Sequence, residues 1–159
     1  MRPAPTSPPL PGWLTLALFV FFVLGGGTLI GMLFQPGEWY ASLDKPFFTP
    51  PDWVFAPVWI SLYVMIAVAG WRTWRRDPAS LAMQVWFGQL AFNFMWTSTF
   101  FGMQLPALAF LVIVIMAGLI IVFMRLTWKH DRVSAMLFSP YLAWTGFAAV
   151  LNGGIWGLN

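Results

Sequence analysis

Long apolar runs, broken only by short basic or proline-bearing connectors, constrain this chain more than any motif it carries. The runs are continuous rather than alternating, so they read as helices and not as barrel strands. Inside lipid only a helix or a closed barrel pairs every backbone N–H and C=O. Of 159 residues, 60% are hydrophobic and 8% are charged. Soluble domains carry about 25% charged residues, so lipid is the expected solvent. The expected fold is all-α: an integral membrane bundle of five transmembrane helices, with a long structured loop between the first two. The helices are expected at about 13–33, 53–74, 79–103, 106–128 and 133–156, each long enough for a hydrocarbon core of about 30 Å. Residues 1–12, "MRPAPTSPPLPG", read as a disordered proline-rich leader, which leaves 13–159 as one domain.

Local signals mark several ends. Asp77-Pro78 predicts an N-cap and first helical residue for the third helix. Pro106 opens the fourth in the same way. Pro140 lies inside the fifth run, where a missing donor predicts a kink. Arg2, Arg72, Arg75, Arg76, Arg125, Lys129 and Arg132 fall on one side of such a bundle, and only Lys45 on the other. The positive-inside rule then predicts a cytoplasmic N-terminus in a cell inner membrane, with the first loop and C-terminus opposite.

Much chemistry is excluded. With no cysteine there is no disulfide and no thiolate site. His130 is the single histidine and sits in the basic "WKHDR" connector, so no conventional metal site is expected. No charge lies mid-span to serve a proton relay, and no basic tract suits nucleic acid.

What remains is aromatic and amide-rich. Trp59 and Tyr63 share a face of the second helix. Gln89, Asn93 and Trp96 share a face of the third, and Trp144, Ala148 and Asn152 a face of the fifth, with Tyr141 one turn earlier. Two readings fit. The amides are interhelical glue and the rings an interfacial belt; or the faces converge on a cavity for a flat, largely apolar ligand. Trp96 and Trp144 lie too far inside their runs for a belt. Gly27 and Gly31, and separately Gly88 with Ala91, form small-residue packing patches. The first loop, within "EWYASLDKPFFTPPDWVFAPVW", is stiff and aromatic. It reads as a lid in which Lys45 meets a neighbouring acid or a ligand carboxylate, while Pro46, Pro50 and Pro51 restrict the backbone.

Three stretches, "WYASLDKPFFTPPDWVFAPVWISLY", "QLAFNFMWTSTFFG" and "SPYLAWTGFAAVLNGGIWGLN", resemble the motifs of the TspO/MBR family, which spans bacterial tryptophan-rich sensory proteins and the mitochondrial translocator protein. The similarity runs from Gly25 to Asn159. It implies a five-helix bundle, a homodimer, and a pocket closed by the first loop. The implied partner is a porphyrin such as protoporphyrin IX or haem, as ligand rather than obligatory cofactor. Synthetic isoquinoline-type compounds are further family ligands. By motif, the ligand-binding residues are Trp39, Tyr40, Trp59, Tyr63, Asn93, Trp96, Trp144, Ala148 and Leu151. Trp59 and Trp144 match tryptophans linked in some members to light-dependent porphyrin breakdown, and so are the catalytic residues if photo-oxidation occurs. The cholesterol motif of animal members is not expected, because Gly153 and Gly157 stand where those carry a tyrosine and an arginine. The expected function is a porphyrin receptor or sensor in tetrapyrrole homeostasis or stress signalling; the alternatives are a light-dependent porphyrin-degrading enzyme and a transporter of amphipathic ligands.

Overall fold

A computed structural model describes residues 11–159. The leader expected at residues 1–12 therefore lies outside the described residues, apart from Pro11 and Gly12. The chain forms α1 (Gly12–Leu33), a short α2 (Glu38–Ser42), α3 (Phe55–Arg76), α4 (Leu81–Thr97), α5 (Pro106–Thr127), α6 (Arg132–Leu137) and α7 (Ser139–Leu158). A 3₁₀ turn, Asp52–Val54, leads into α3, and a π-helical turn, Ser98–Gly102, extends α4. Among the described residues, four helical stretches are long and apolar enough to cross a membrane: Gly12–Leu33, Asp52–Arg76, Pro106–Thr127 and Arg132–Leu158.

The helix ends follow from local donors and acceptors. Pro106 opens α5, where a missing N–H costs nothing. The expected cap at Asp77 is corrected. Its N–H still closes α3 on the Thr73 carbonyl at 3.1 Å, so it belongs to the preceding helix. Ser80 caps α4 instead, its side chain accepting from the Met83 N–H at 3.2 Å. Around Pro140 the fifth run divides into α6 and α7 at Phe138. The break turns the Phe138 ring into the core, 4.2 Å from Phe123 between centroids.

α1 packs on α3, α4 on α5, and α5 on α7. α3 packs on α6, and beyond the break its Trp59 and Phe55 meet Tyr141 and Trp144 of α7, with ring centroids 6.4 and 5.8 Å apart. Close approach is bought with glycine at Gly70, where a Cβ would sit 2.3 Å from the buried Trp86 ring. That indole donates to the Ile66 carbonyl at 2.9 Å, so its burial leaves no orphan.

One end of the bundle is basic and tied by ions. Arg72 forms a fork on Asp131, with contacts of 2.7 and 3.2 Å, and Arg76 reaches the same carboxylate at 3.3 Å. The Ser134 hydroxyl donates to it at 2.7 Å. Burial alone would push the Asp131 carboxyl up, but the hydrogen bonds and charge of Arg72, with those of Ser134, hold it below its ordinary value.

Candidate functional site

At the other end α1, α3, α4 with its π turn, and α7 enclose a cavity of about 640 Å³. That is within the usual range of about 300–1,000 Å³ for small-molecule sites. α3 contributes Trp59 and Tyr63, one turn apart with ring centroids at 5.5 Å. α4 contributes Trp96, and the π turn adds Phe100 and Phe101. Phe100 stacks on Trp96 at 5.5 Å, while Tyr40 from α2 meets Phe100 and Phe101 edge-on at 6.2 and 5.4 Å. π turns are uncommon and concentrate at functional sites; this one carries two consecutive rings on the wall. α7 supplies Ala148, Leu151, Asn152 and Ile155. α1 supplies Gly27 and Gly31, whose missing side chains leave room. Gly27 is also a packing necessity, since its Cβ would lie 2.2 Å from Tyr63.

The polar groups are mostly committed to one another. The Trp96 indole donates to Asn152 at 3.0 Å, and the Asn152 amide donates to the Pro106 carbonyl at 2.8 Å. The Tyr63 hydroxyl donates to Asn93 Oδ1 at 3.0 Å; Asn93 Nδ2 donates to the Tyr141 hydroxyl at 3.0 Å; and that hydroxyl donates to Met116 Sδ at 3.2 Å. This chain fixes the rings from behind and links α3, α4, α5 and α7. The wall is therefore mainly apolar, with aromatic faces offered for stacking.

Of the residues expected at the site, Tyr40, Trp59, Tyr63, Trp96, Ala148 and Leu151 share the cavity wall. Asn93 does not: it is 2% exposed and stands behind Tyr63. Trp39 lies outside the wall, edge-on to Phe100 at 5.7 Å. Trp144 lies across the α3–α7 seam in a separate groove of about 560 Å³ with Pro57, Ser61, Pro140 and Phe147. Its ring meets Phe55, a wall residue of the cavity, at 5.8 Å between centroids. Its indole N–H is buried without a partner.

The segment between α1 and α3 is held against α7. The Asp44 N–H donates to Asn159 Oδ1 at 3.0 Å, and Asn159 Nδ2 donates back to the Asp44 carbonyl at 3.0 Å. Pro46 fits over Gly154, where a Cβ would approach it to 2.6 Å. Lys45 makes no ion pair among the described residues; its ammonium lies 4.5 Å over the Tyr40 ring. Pro51 sets the entry to the 3₁₀ turn, with the Val54 N–H bonding to its carbonyl at 3.0 Å. Pro50 precedes it, and neither proline is on the cavity wall. Phe47 and Trp53 point away, 100% and 75% exposed.

Sequence reading missed Phe34, Asp52, Phe100, Phe101 and Ile155 on the wall and Asn159 at the clasp. The paired phenylalanines one turn beyond Trp96 were a usable signal. Asn159 offered none, because its partner is 115 positions away.

The TspO/MBR family model matches residues 18–157. The Protein CrtK of Rhodobacter capsulatus is 36% identical over 154 residues, covering 92% of this chain and 95% of that protein. The tryptophan-rich sensory protein of Cereibacter sphaeroides is 38% identical over 138 residues, with 86% and 87% covered. The human translocator protein is 32% identical over 138 residues, with 82% of each chain covered. A match across nearly the whole chain, together with membrane-compatible helices, places the protein: it is an integral membrane protein of the TspO/MBR family.

Proposed function

We propose that the protein is a membrane receptor or sensor that binds porphyrins, with protoporphyrin IX or a haem-like tetrapyrrole as ligand. The observation that carries this reading is the cavity of about 640 Å³ walled by Trp59, Tyr63, Trp96 and Phe100. Flat rings stack on such faces, and aromatic stacking contributes beyond the area it buries. In this reading α4 with its π turn is a fifth span, and α6 with α7 forms one broken span. The N-terminus is cytoplasmic, following the basic side chains, and the segment carrying Lys45, Pro46, Pro50 and Pro51 is a lid over the opposite end. The protein works as a homodimer and needs no resident cofactor. Titration with protoporphyrin IX, followed by tryptophan quenching, tests the binding. Trp59→Phe and Trp96→Phe are expected to weaken it, and unchanged affinity in both would exclude this cavity as the site.

A light-dependent breakdown of bound porphyrin is the second reading, and one observation favours it. The Trp59 indole is on the wall, within reach of an excited ligand. Trp144 sits in the separate groove, with its ring 5.8 Å from that of the wall residue Phe55. Illumination of the complex in air is the test; bleaching no faster than that of free porphyrin would remove this reading.

A further inference from the structure

Thr28 and Gly31 of α1, and Ala56 and Ile60 of α3, line the cavity and are also exposed. Both helices are long and apolar enough to cross a membrane. Asp52, the first residue of the 3₁₀ turn, lines the same cavity.

Asp52 is the one carboxylate on the wall. It is exposed, and no cation pairs with it among the described residues. The nearby base, Lys45, is occupied over Tyr40 and is not a wall residue. Glu38 and Asp44 are exposed on the same segment, so this end carries more acid than base. The Asp52 charge is felt at the site: with burial as the larger cause, it pushes the Tyr40 phenol above its ordinary value. Every other group lining the cavity is neutral.

We infer that Asp52 is a specificity-determining residue: it weakens, without abolishing, the binding of a porphyrin through the carboxylates on its edge, and so favours the same flat ring with a neutral or cationic edge. This rests on the binding reading above and refines its ligand class. A flat ligand with its apolar body among the rings turns its polar edge to the water end, where Asp52 stands. Carboxylates on that edge meet a like charge over a few ångströms, inside the screening length of about 8 Å at physiological salt. A neutral edge meets no penalty, and a cation is attracted.

The test compares protoporphyrin IX, which carries two propionates, with its dimethyl ester, which has the same ring and no charge. Both are titrated by tryptophan quenching into the full chain in a neutral detergent. The ratio of the two affinities is then compared between wild type and Asp52→Asn, so that differences in partition into detergent cancel. Asp52→Asn is expected to raise diacid affinity about three- to tenfold and ester affinity less than twofold. Asp52→Lys is expected to raise the diacid further, and Asp52→Glu to behave as wild type. Added salt should narrow the gap in wild type and leave it unchanged in Asp52→Asn. An identical diacid-to-ester ratio in wild type and Asp52→Asn, with both ligands bound, overturns the inference and leaves the binding reading standing. Failure of the ester and the diacid to bind any variant overturns both.

Discussion

The two ends of the bundle are closed by different chemistry. At the basic end one buried carboxylate, Asp131, gathers Arg72, Arg76 and Ser134 into a small knot. At the other end Tyr40 meets Phe100 and Phe101 edge to face, Phe100 stacks on Trp96, and a pair of amide hydrogen bonds ties Asp44 to Asn159. Ions in partial burial demand short, saturated contacts, because an uncompensated charge is costly there. Tilted rings demand only approximate contact and leave gaps between their edges. The first chemistry therefore makes a tight anchor, and the second leaves a cavity with adaptable walls.

The largest effect that would separate the ends is on stability. Asp131→Ala strands two guanidinium groups and removes the cap of α6. A loss of about 3 kcal/mol is expected, the low end of the range because both arginines reach water. Thermal unfolding in detergent measures it, while porphyrin affinity should stay within about twofold. A parallel fall in affinity would mean the two ends are coupled. The same carboxylate sets an acid limit. Its folded value lies below the ordinary 3.8, so its contribution is complete above that value and is lost as pH falls through the depressed one. Asp131→Asn should flatten this part of the acid unfolding curve.

Trp59 and Trp144 test the aromatic end more finely. Removing a stacked ring costs about 1–3 kcal/mol in comparable sites, so Trp59→Ala is expected to weaken porphyrin binding about tenfold. Trp144→Ala should change it less than twofold, since its ring faces the other groove. Equal losses would show that cavity and groove act as one site. The clasp comes next. Asn159→Ala removes the two exposed hydrogen bonds to Asp44, worth about 1 kcal/mol together, and a third to the Ile155 carbonyl within its own helix. An off-rate about fivefold faster is expected by stopped-flow fluorescence, and an unchanged rate would mean the segment does not gate release. The smallest effect is expected from Pro50→Gly with Pro51→Gly. Greater freedom in the unbound segment should lower affinity about twofold to threefold, with helical circular dichroism intact. Affinity equal to wild type would make this stretch an interfacial anchor instead of a lid.

Some of this was readable from residue order. Trp59 and Tyr63 fall one turn apart on any helix, and they meet as that spacing demands. Trp144 and Ala148 have the same spacing, yet only Ala148 reaches the cavity. The spacing is kept; what differs is the neighbour. Trp144 lines the groove with Pro57 and Ser61 of α3, whereas Ala148 lines the cavity with Trp96 and Phe100. Asn93 likewise sits on the face with Trp96, but both its polar ends are taken by Tyr63 and Tyr141 from other helices.

By itself the sequence determined that the chain is helical and membrane-borne, where along it the basic residues cluster, and which rings share a helix face. Those properties are one-dimensional: apolar run length, charge position and helical period are all local in the chain. Only the tertiary structure decided which rings enclose space, that Trp144 stands outside it, that Asp52 borders it, and that Asn159 holds Asp44. Each of these depends on helix separation and on partners distant in the chain. A periodicity says which residues share a face, but not what that face will meet.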